Sequence, residues 1–380
     1  MLLTEIDIKD FRNLGGKISC GKDKNILLGE NGQGKTNLLE AIYTLTTGRS
    51  FRTTKINEAV AFGAGSAAIS GEIIRANGLR RSLQIIIEGK SRNFYINGKR
   101  ESANRYIESA HSFVFNTETL EIIRGGPENR RDFLDRSICS IYPAFTKTLA
   151  DYARVIKQKN ALLTKAQEDG RPGVKLGDEI APWNGQLIGL AEKIHRARTR
   201  FVMRMNENLP RGIFDGERLE IRYVSALEGK GDLNEYARLI KERLELRLDA
   251  EISAGHSLIG PHRDELEINY DGHLLKKYGS AGQQRSAALA MLLSNIELFR
   301  QQMDEYPILL LDDLDAELDY RRISQLLEYL EGKLQVFIST SKPTFAERFK
   351  QGADLFEIDK GRAKRRDPES RTAAADHPGK

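Results

Sequence analysis

The eight residues "GENGQGKT", Gly29 to Thr36, decide the fold class of this chain. They follow the apolar run "NILL" and precede "NLLEAIYTL", in which apolar residues recur at helical spacing. The stretch fits the pattern G-x-x-x-x-G-K-[ST] in the order strand, loop, helix, which is the context that the pattern requires. The sequence therefore predicts a phosphate-binding P-loop in an α/β domain. The alternative is a glycine-rich surface turn.

The residue types of this loop suit a nucleoside triphosphate with its metal ion. Main-chain N–H groups of such a loop surround the β-phosphate, and the positive end of the following helix adds to the attraction. The lysine is expected to reach the β- and γ-phosphates, and the threonine hydroxyl to bind Mg²⁺. The residues predicted to hold the nucleotide here are Gly29, Glu30, Asn31, Gly32, Gln33, Gly34, Lys35 and Thr36.

A second segment, "PILLLDDLDAELD" at 307–319, has the features of the metal-side strand that a P-loop requires. Asp312 ends an aliphatic run and is predicted to act on the Mg²⁺ side together with Thr36. Asp313 comes next, where a carboxylate would orient or deprotonate the attacking water. The alternative is an acidic, solvated loop that caps a helix.

The segment "YGSAGQQRSAALAMLL" at 278–293 opens a strongly apolar helix. Its Ser280 hydroxyl and first N–H groups converge with the helix dipole, as in an anion site, although an ordinary N-capped core helix has the same appearance. The P-loop, this helix and the Asp312 strand follow one another in the order of the ABC ATPase signature set. In that class the signature helix of one subunit closes over the nucleotide of another, which implies an ATP-dependent homodimer.

Composition is compatible with a multidomain protein of a reducing compartment. The chain has 380 residues, which suits two or three domains. Its two cysteines, Cys20 and Cys139, are too few and too far apart for a disulfide framework or a zinc cluster. No apolar run approaches the length of a membrane span. We therefore expect a cytoplasmic protein.

Positive charge is concentrated at the C-terminal end. The net charge is +5, and residues 360–380 hold seven Lys or Arg against three acidic residues, so the remainder carries about +1. The charge of the body therefore does not by itself predict nucleic-acid binding. Residues 361–380 have almost no apolar side chains, which predicts a disordered basic tail from about Arg362.

Strand and helix patterns alternate along the chain. Residues 67–100 read as an antiparallel meander whose Asn77-Gly78 and Asn97-Gly98 dipeptides suit type I′ turns. A mainly helical stretch follows, interrupted by "RLEIRYV", before the α/β pattern resumes. The predicted fold class is α/β, an ABC-type P-loop ATPase head with an antiparallel β meander and an inserted, mainly helical second lobe. The predicted domains are a split ATPase lobe (1–110 and 251–360), the helical insert (111–250) and the tail (361–380).

Nine motifs occur in one order across residues 1 to about 340. They are "FRNL", "GENGQGKTNLLEAIY", "GRSFRT", "INGKR", "GGPENRRDFLD", "KQKNALL", "GPHRDEL", "GSAGQQR" and "LLLDDLDAELD". The segments "GRSFRT", "GPHRDEL" and "SxGQQR" are more specific than the P-loop alone. Together the nine motifs resemble the RecF family of DNA replication and repair proteins.

The resemblance implies further site residues. Ser280, Gly282 and Gln283 would act on the nucleotide in trans, and Asp319 would close the D-loop. Arg12 and Asn13 would contact the nucleotide beside the P-loop. The chain departs from the family in two places: Ala316 replaces the serine of "SELD", and "FNTETLEII" differs from the usual Q-loop pattern, for which 116–118 is the nearest candidate.

The resemblance also implies a function: ATP would close two heads into a clamp on double-stranded or gapped DNA, and slow hydrolysis would reopen it. Such a protein helps load the strand-exchange recombinase with RecR- and RecO-type partners. The alternatives are a nucleotide-binding subunit of an ABC transporter and a nuclease-linked ABC ATPase. The insert is too short and lacks the sustained heptads for the latter. Candidate DNA contacts are Arg80, Arg81, Arg124, Arg130 and Arg131.

The motif "GPHRDEL" allows structural as well as functional roles. His262 has no second His or Cys at ligand spacing, so the sequence argues against zinc. The structural alternative for Arg263 and Asp264 is an ion pair at a strand edge.

Overall fold

The computed structural model describes residues 1–170, 173–210 and 218–366. The strands are β1 (Leu2–Phe11), β2 (Leu14–Ser19), β3 (Lys24–Leu28), β4 (Ser66–Ile74), β5 (Arg80–Glu88), β6 (Ser91–Ile96), β7 (Lys99–Glu101), β8 (Ser112–Phe115), β9 (Leu219–Val224), β10 (Glu265–Tyr270), β11 (His273–Leu274), β12 (Ile308–Leu311), β13 (Val336–Thr340), β14 (Ala353–Asp359) and β15 (Arg362–Arg365).

Helices occur between these strands, with short 3₁₀ turns in several connections. The α-helices are α1 (Lys35–Thr47), α2 (Ala103–Ile107), α3 (Glu121–Arg124), α4 (Pro127–Ile141), α5 (Phe145–Glu168), α6 (Gly173–Glu207), α7 (Tyr236–Leu246), α8 (Leu248–Ala254), α9 (Leu275–Tyr278), α10 (Ala281–Met303), α11 (Leu314–Glu317), α12 (Tyr320–Leu330) and α13 (Pro343–Phe349). Among the described residues, no helix is long and apolar enough to cross a membrane.

The first of two compact units comprises Met1–Thr119 and the described part of Phe299–Lys380. It contains two six-stranded sheets. One sheet has the order β15-β14-β3-β13-β12-β8, and the other is the antiparallel meander β2-β1-β4-β5-β6-β7. One buried apolar cluster includes side chains from both sheets and from α1. The predicted α/β head with an antiparallel meander is therefore confirmed.

Four adjacent parallel strands of the first sheet place the predicted motifs at one edge. β3, β13, β12 and β8 are parallel to one another, so their carboxyl ends meet on the same side. All four residues of β12 and all five of β13 are buried, as expected for strands covered on both faces. The P-loop follows β3 and Asp312 follows β12, with the end of β13 between them.

The two predicted hairpin turns differ. Asn97 and Gly98 both have positive φ, 51° and 74°, as a type I′ turn requires. The prediction for Asn77-Gly78 is wrong, because only Gly78 is left-handed there (φ 79°). The Gly78 amide donates to the carbonyl of Arg75 at 2.9 Å, so the loop is one residue longer and needs a single left-handed residue at its end.

The second unit contains Leu120–Pro210 and the described part of Glu217–Leu298. It holds α3 to α9 and a three-stranded sheet with the order β11-β10-β9. The boundaries predicted at residues 110/111 and 250/251 both differ from the boundaries of the two units. β8 pairs with β12 in the first unit, so the second unit starts later than residue 111, and β10 pairs with β9, so residues after 250 belong to the second unit.

The start of the predicted disordered tail is wrong. Arg362–Arg365 form β15, which pairs antiparallel with β14. Main-chain pairing does not need apolar side chains, and Ala363 packs against the core of the first unit. Of the seven basic residues counted from residue 360, five lie at 360–366, and residues 367–380 carry two basic and three acidic residues. The rest of that prediction, from residue 367 onward, lies outside the described residues.

Candidate functional site

The P-loop has the backbone that its glycines permit. Gly32 and Gly34 have φ of 82° and 119°, in the range that side chains rarely adopt. At Gly29 a Cβ atom would overlap the carbonyl oxygen of Ile358 in β14. These three positions therefore require glycine for local reasons, and the loop curls so that α1 begins at Lys35.

Lys35 is directed back at its own loop. Its ammonium donates to the carbonyl oxygens of Gly29 at 2.8 Å and Glu30 at 2.9 Å, and the residue is 5% exposed. A buried ammonium needs such acceptors. Lys35 is thereby held within the loop whose main chain is predicted to surround the phosphates.

Thr36 and Asp312 meet at the carboxyl edge of the parallel sheet. The Thr36 hydroxyl donates to Asp312 Oδ1 at 3.0 Å, and the Ser339 hydroxyl at the end of β13 donates to the same oxygen at 2.7 Å. Burial raises the pKa of Asp312, and the hydrogen bonds from Ser339 and Thr36 lower it in part. Ser339 is not among the predicted site residues, although the polar end "ST" of the otherwise apolar strand "LQVFIST" is a detectable signal.

The donor set at this edge fits Mg²⁺. A hydroxyl and a carboxylate are hard oxygen donors, which Mg²⁺ prefers, and this ion usually completes its octahedron with waters and phosphate oxygens. Within the described residues, no group of three or more His, Cys, Asp or Glu forms an all-protein metal cage. Thr36 and Asp312 therefore suit an ion that a nucleotide brings with it.

Asp313 occupies a left-handed backbone position. Its φ is 47°, and its amide donates to Ser339 Oγ at 2.8 Å. A non-glycine residue in this conformation costs free energy, and such residues cluster at functional sites. Ser339 therefore contacts both aspartates, with one hydrogen bond to the Asp312 carboxylate and one from the Asp313 amide.

Arg12 and Asn13 lie beside the P-loop and already have protein partners. The Arg12 guanidinium makes a two-armed ion pair with Glu40 at 3.0 and 2.8 Å, and Glu40 is fully buried. The Asn13 amide donates to the carbonyl of Gln33 at 3.3 Å and accepts from Asn37 at 2.7 Å. Nucleotide contact by either residue stays a prediction. The buried acceptor Glu40 had no signal in the sequence beyond its place in α1.

The signature segment forms a capping box. Gln283 donates its amide to the Ser280 hydroxyl at 3.2 Å, and its side-chain oxygen accepts from the Ser280 amide at 2.8 Å. The carbonyl of Gly282 accepts from Ser286 Oγ at 3.0 Å. The local structure thus matches the N-capped helix. Because the Ser280 oxygen accepts, its proton can still be donated to an anion, so both interpretations of the segment remain compatible.

Two other predicted site positions, Asp319 and Asn116, make hydrogen bonds within their own segments. Asp319 caps α12, because its carboxylate accepts from the Arg322 amide at 2.9 Å, and its side chain is 61% exposed. Asn116 follows β8 and exchanges hydrogen bonds with Thr119. A D-loop role for Asp319 and a Q-loop at 116–118 stay predictions.

The motif "GPHRDEL" places the half-buried His262 in a hydrogen-bond network of the second unit. Its Nδ1 lies 2.7 Å from the Tyr152 hydroxyl, and its Nε2 lies 3.2 Å from the carbonyl of Ser257. Burial lowers the pKa of His262 to about 4, so the ring is neutral near pH 7. A neutral ring that donates from Nε2 and accepts at Nδ1 satisfies both contacts.

The predicted ion pair between Arg263 and Asp264 is wrong. Arg263 donates to the carbonyl of Ser257 at 2.9 Å. The Asp264 carboxylate accepts from the Tyr223 hydroxyl and from the Ala226 amide. Asp264 is 1% exposed, and a buried carboxylate is best satisfied by donors that are fixed in the fold, such as this hydroxyl and this main-chain amide.

The candidate DNA-contacting arginines are not equivalent. Arg130 is buried and binds Glu265 with two arms at 2.7 Å each, which removes it from the candidates. Arg131 donates to the carbonyl of Asp264 at 2.7 Å, and Arg124 to Gln284 at 3.0 Å. Arg80 is exposed, and Arg81 donates to Ser109 at 2.9 Å. Arg80 and Arg124 are the exposed members of the set.

Comparison with known proteins assigns the family. The model of the RecF/RecN/SMC N terminal domain matches residues 2–364. The chain belongs to the RecF/RecN/SMC family. Within this family it is a homologue of RecF: it is 35% identical over 371 residues to the DNA replication and repair protein RecF of Staphylococcus aureus strain JH9, which covers 95% of this chain and 99% of that protein.

Solved structures of the family agree with this assignment. A structure of the recombination mediator protein RecF-ATP in the RecFOR pathway has a TM-score of 0.85 at 29% identity and covers 96% of this chain and 98% of that chain. The corresponding RecF-ATPrS structure has a TM-score of 0.84 at 29% identity, with coverage of 96% and 97%. The Smc head domain of Pyrococcus furiosus, at 16% identity and a TM-score of 0.55 over 96% of each chain, shares the fold.

Proposed function

We propose that this chain is an ATP-dependent DNA-binding clamp of recombinational DNA repair and replication-fork maintenance. The observation that carries the proposal is the contact of Thr36 with Asp312 at 3.0 Å beside a P-loop, in a homologue of RecF. The RecF-ATP structure, at 29% identity, adds support for ATP as the nucleotide. An ABC transporter subunit is disfavoured, since the relatives are DNA repair proteins.

Each residue at the sheet edge has a task in this proposal. Lys35 and the P-loop amides bind the phosphates, and Thr36 with Asp312 holds the Mg²⁺ side. When bound, Mg²⁺ neutralises charge on the β- and γ-phosphate oxygens. Asp313 orients the attacking water and accepts its proton. ATP is hydrolysed slowly, so the reaction acts as a timer for release from DNA, and DNA stimulates it.

ATP-dependent dimerisation is the second part of the proposal. Ser280, Gly282 and Gln283 of one subunit face the nucleotide of the other, and Asp319 lies at the same seam. The capping box supports this role, because it fixes the Ser280 oxygen as an acceptor and leaves its proton to donate to a phosphate oxygen. Closure of two heads then creates the composite surface that holds double-stranded or gapped DNA.

The partners follow from the family. The RecF relatives are described within the RecFOR pathway. We therefore propose RecR- and RecO-type mediator proteins as partners, with loading of the strand-exchange recombinase onto single-stranded DNA as the outcome. A nuclease-linked ABC ATPase is the remaining alternative.

Fluorescence anisotropy with a labelled gapped duplex tests the proposal. Affinity is expected to be highest with ATP or a non-hydrolysable analogue, lower with ADP, and to fall as salt rises because counterions are released. A truncation after Arg366 serves as a control: residues 367–380 carry two basic and three acidic residues, so ATP-enhanced binding should survive their loss. DNA binding that is equal with and without ATP contradicts the clamp.

A further inference from the structure

The turn between β14 and β15 contacts the P-loop directly. The amide of Gly361 donates to the carbonyl oxygen of Gln33 at 2.8 Å, and the amide of Lys360 donates to the Gln33 side-chain oxygen at 2.7 Å. Gln33 therefore has both its main-chain and its side-chain oxygen bound by two consecutive amides. Gln33 and Lys360 are 327 positions apart in sequence.

The same turn is packed against the β1–β2 connection. A Cβ atom on Gly361 would overlap the carbonyl oxygen of Asn13, so no larger residue fits there without movement. The Gly15 amide donates to the Gly361 carbonyl at 3.4 Å, and the Asn13 side chain donates to the Gln33 carbonyl at 3.3 Å. Gln33 is thus held from two sides, by the turn and by Asn13.

The backbone of the turn is fixed as well. Lys360 and Gly361 have φ of 46° and 77°, and Asp359 pairs with Arg362, which is the geometry of a two-residue type I′ hairpin. Lysine is unusual at a left-handed position, where Asn or Gly costs less. Two residues before Lys360, the Ile358 carbonyl of β14 is the group that excludes a side chain at Gly29. The hairpin therefore bounds the P-loop at its first residue and at Gln33.

We propose that the β14–β15 turn is a positioning element of the nucleotide site, which holds Gln33 and through it the P-loop in the conformation that binds phosphate. The inference rests on the proposed function, because it assumes that the P-loop binds ATP. P-loop amides must point at the phosphates within a fraction of an ångström, and the turn fixes the only side chain of the Gly32-Gln33-Gly34 segment that can be held from outside.

The chain offers a matched control for this proposal. Asn97 and Gly98 form a second two-residue turn, with φ of 51° and 74°, between β6 and β7. A Cβ atom on Gly98 meets nothing within 4 Å. Gly361→Ala and Gly98→Ala thus place alanine at similar left-handed backbone positions, which strains both turns to a similar degree. Only Gly361→Ala displaces a turn that contacts the P-loop.

Binding of a fluorescent ATP analogue, measured well below the unfolding midpoint of each variant, tests the proposal. Gly361→Ala should weaken affinity about tenfold or more, whereas Gly98→Ala should stay within about twofold of the unsubstituted protein. In steady-state hydrolysis, Gly361→Ala should raise KM and retain kcat at saturating ATP, which a general loss of folded protein would not do.

Gln33→Met is the second variant, because it removes only the side-chain acceptor and keeps the turn intact. It should also weaken binding, and the double variant should lose less than the product of the two single losses, since both act through one contact. If Gly361→Ala does not fold, the ATP affinity of Gln33→Met alone tests the positioning role of the turn.

Two results separate the possible failures. An unsubstituted protein that binds no ATP overturns the proposed function and this inference with it. An unsubstituted protein that binds ATP, together with Gly361→Ala equal to Gly98→Ala or Gln33→Met equal to the unsubstituted protein, overturns the positioning role alone.

Discussion

Thr36 Oγ1 lies 3.0 Å from Asp312 Oδ1, although 276 positions separate the two residues in sequence. The contact exists because β3 and β12 lie on either side of β13 and are parallel to it, so that their carboxyl ends meet at one edge. Ser339, at the end of β13, donates to the same oxygen. Open α/β sheets generally bind ligands at this edge, outside the carboxyl ends of the strands.

Asp312→Asn should change thermal stability and Mg²⁺-dependent ATP affinity in opposite directions. Burial raises the pKa of Asp312, so the folded state retains its proton to higher pH than the unfolded state. Stability then falls as pH rises from the ordinary carboxyl range, about pH 4, through the raised folded pKa. The asparagine variant should therefore unfold at a higher temperature than the unsubstituted protein near pH 7, and this gain should vanish below about pH 4.

The same variant should lose Mg²⁺-dependent ATP affinity by about 10- to 100-fold, because the carboxylate that serves the metal is gone. Asp264→Asn is the control, since Asp264 is also buried with a raised pKa but lies in the second unit. Thermal unfolding against pH and nucleotide titration measure the two effects. An asparagine variant that is less stable at pH 7, or that keeps full metal dependence, would count against the assignment.

Lys35→Ala should reduce ATP affinity by at least about tenfold, because a charge-assisted contact to phosphate is lost. ATP-dependent dimerisation should disappear with it. Lys24→Ala is the matched control: Lys24 also donates to two main-chain carbonyls, those of Phe349 and Gln351, but from the opposite end of β3. Equal ATP affinity in the two variants, measured by titration calorimetry, would remove the P-loop assignment.

Asp313→Asn should keep ATP binding and slow hydrolysis by about 10²- to 10⁴-fold, since the water loses its base while the Mg²⁺ side is unchanged. Asparagine tolerates the left-handed backbone of this position. Asp304→Asn replaces another left-handed aspartate, with φ of 54°, outside the site, and should hydrolyse ATP normally. If single-turnover hydrolysis by Asp313→Asn is unchanged, the base must be sought elsewhere.

Substitutions at Ser280 should distinguish the helix cap from the trans-acting role. Ser280→Ala removes the cap and should cost about 0.5–2 kcal/mol of stability. Ser280→Asp keeps a good cap and should preserve stability, but its charge would face the γ-phosphate of the partner subunit and prevent ATP-dependent dimerisation. Thermal unfolding and light scattering measure the two outcomes. If Ser280→Asp still forms dimers in the presence of ATP, Ser280 acts only as a helix cap and not on the partner's nucleotide.

The glycine loop before α1, the place of Asp312 after β12 and the helix that begins beside Ser280 were predictable because each has a local pattern of residues. Glu40 was not, since its importance comes from burial in α1, and the polar end of β13 marks Ser339 only as a polar residue, since its contact with Asp312 depends on strand order. The contact of the Lys360-Gly361 turn with Gln33 was also invisible, because it joins residues at opposite ends of the chain.

Local composition misled in three places. Basic residues without apolar neighbours predicted disorder at Arg362, although main-chain pairing with β14 orders it. Adjacent opposite charges suggested an ion pair between Arg263 and Asp264, although hydroxyl and main-chain partners in the fold bind them instead. Residue type does not show exposure, so the sequence makes Arg130 a candidate DNA contact although it is buried against Glu265.

The most direct test of the ATP-dependent clamp is the molar mass in solution, measured by gel filtration with light scattering, with and without ATP and gapped duplex DNA. We predict a monomer without nucleotide, a dimer with ATP, and a dimer that stays on the DNA longest when Asp313→Asn blocks hydrolysis. A mass that remains that of the 42.8 kDa monomer at saturating ATP and DNA would contradict the account.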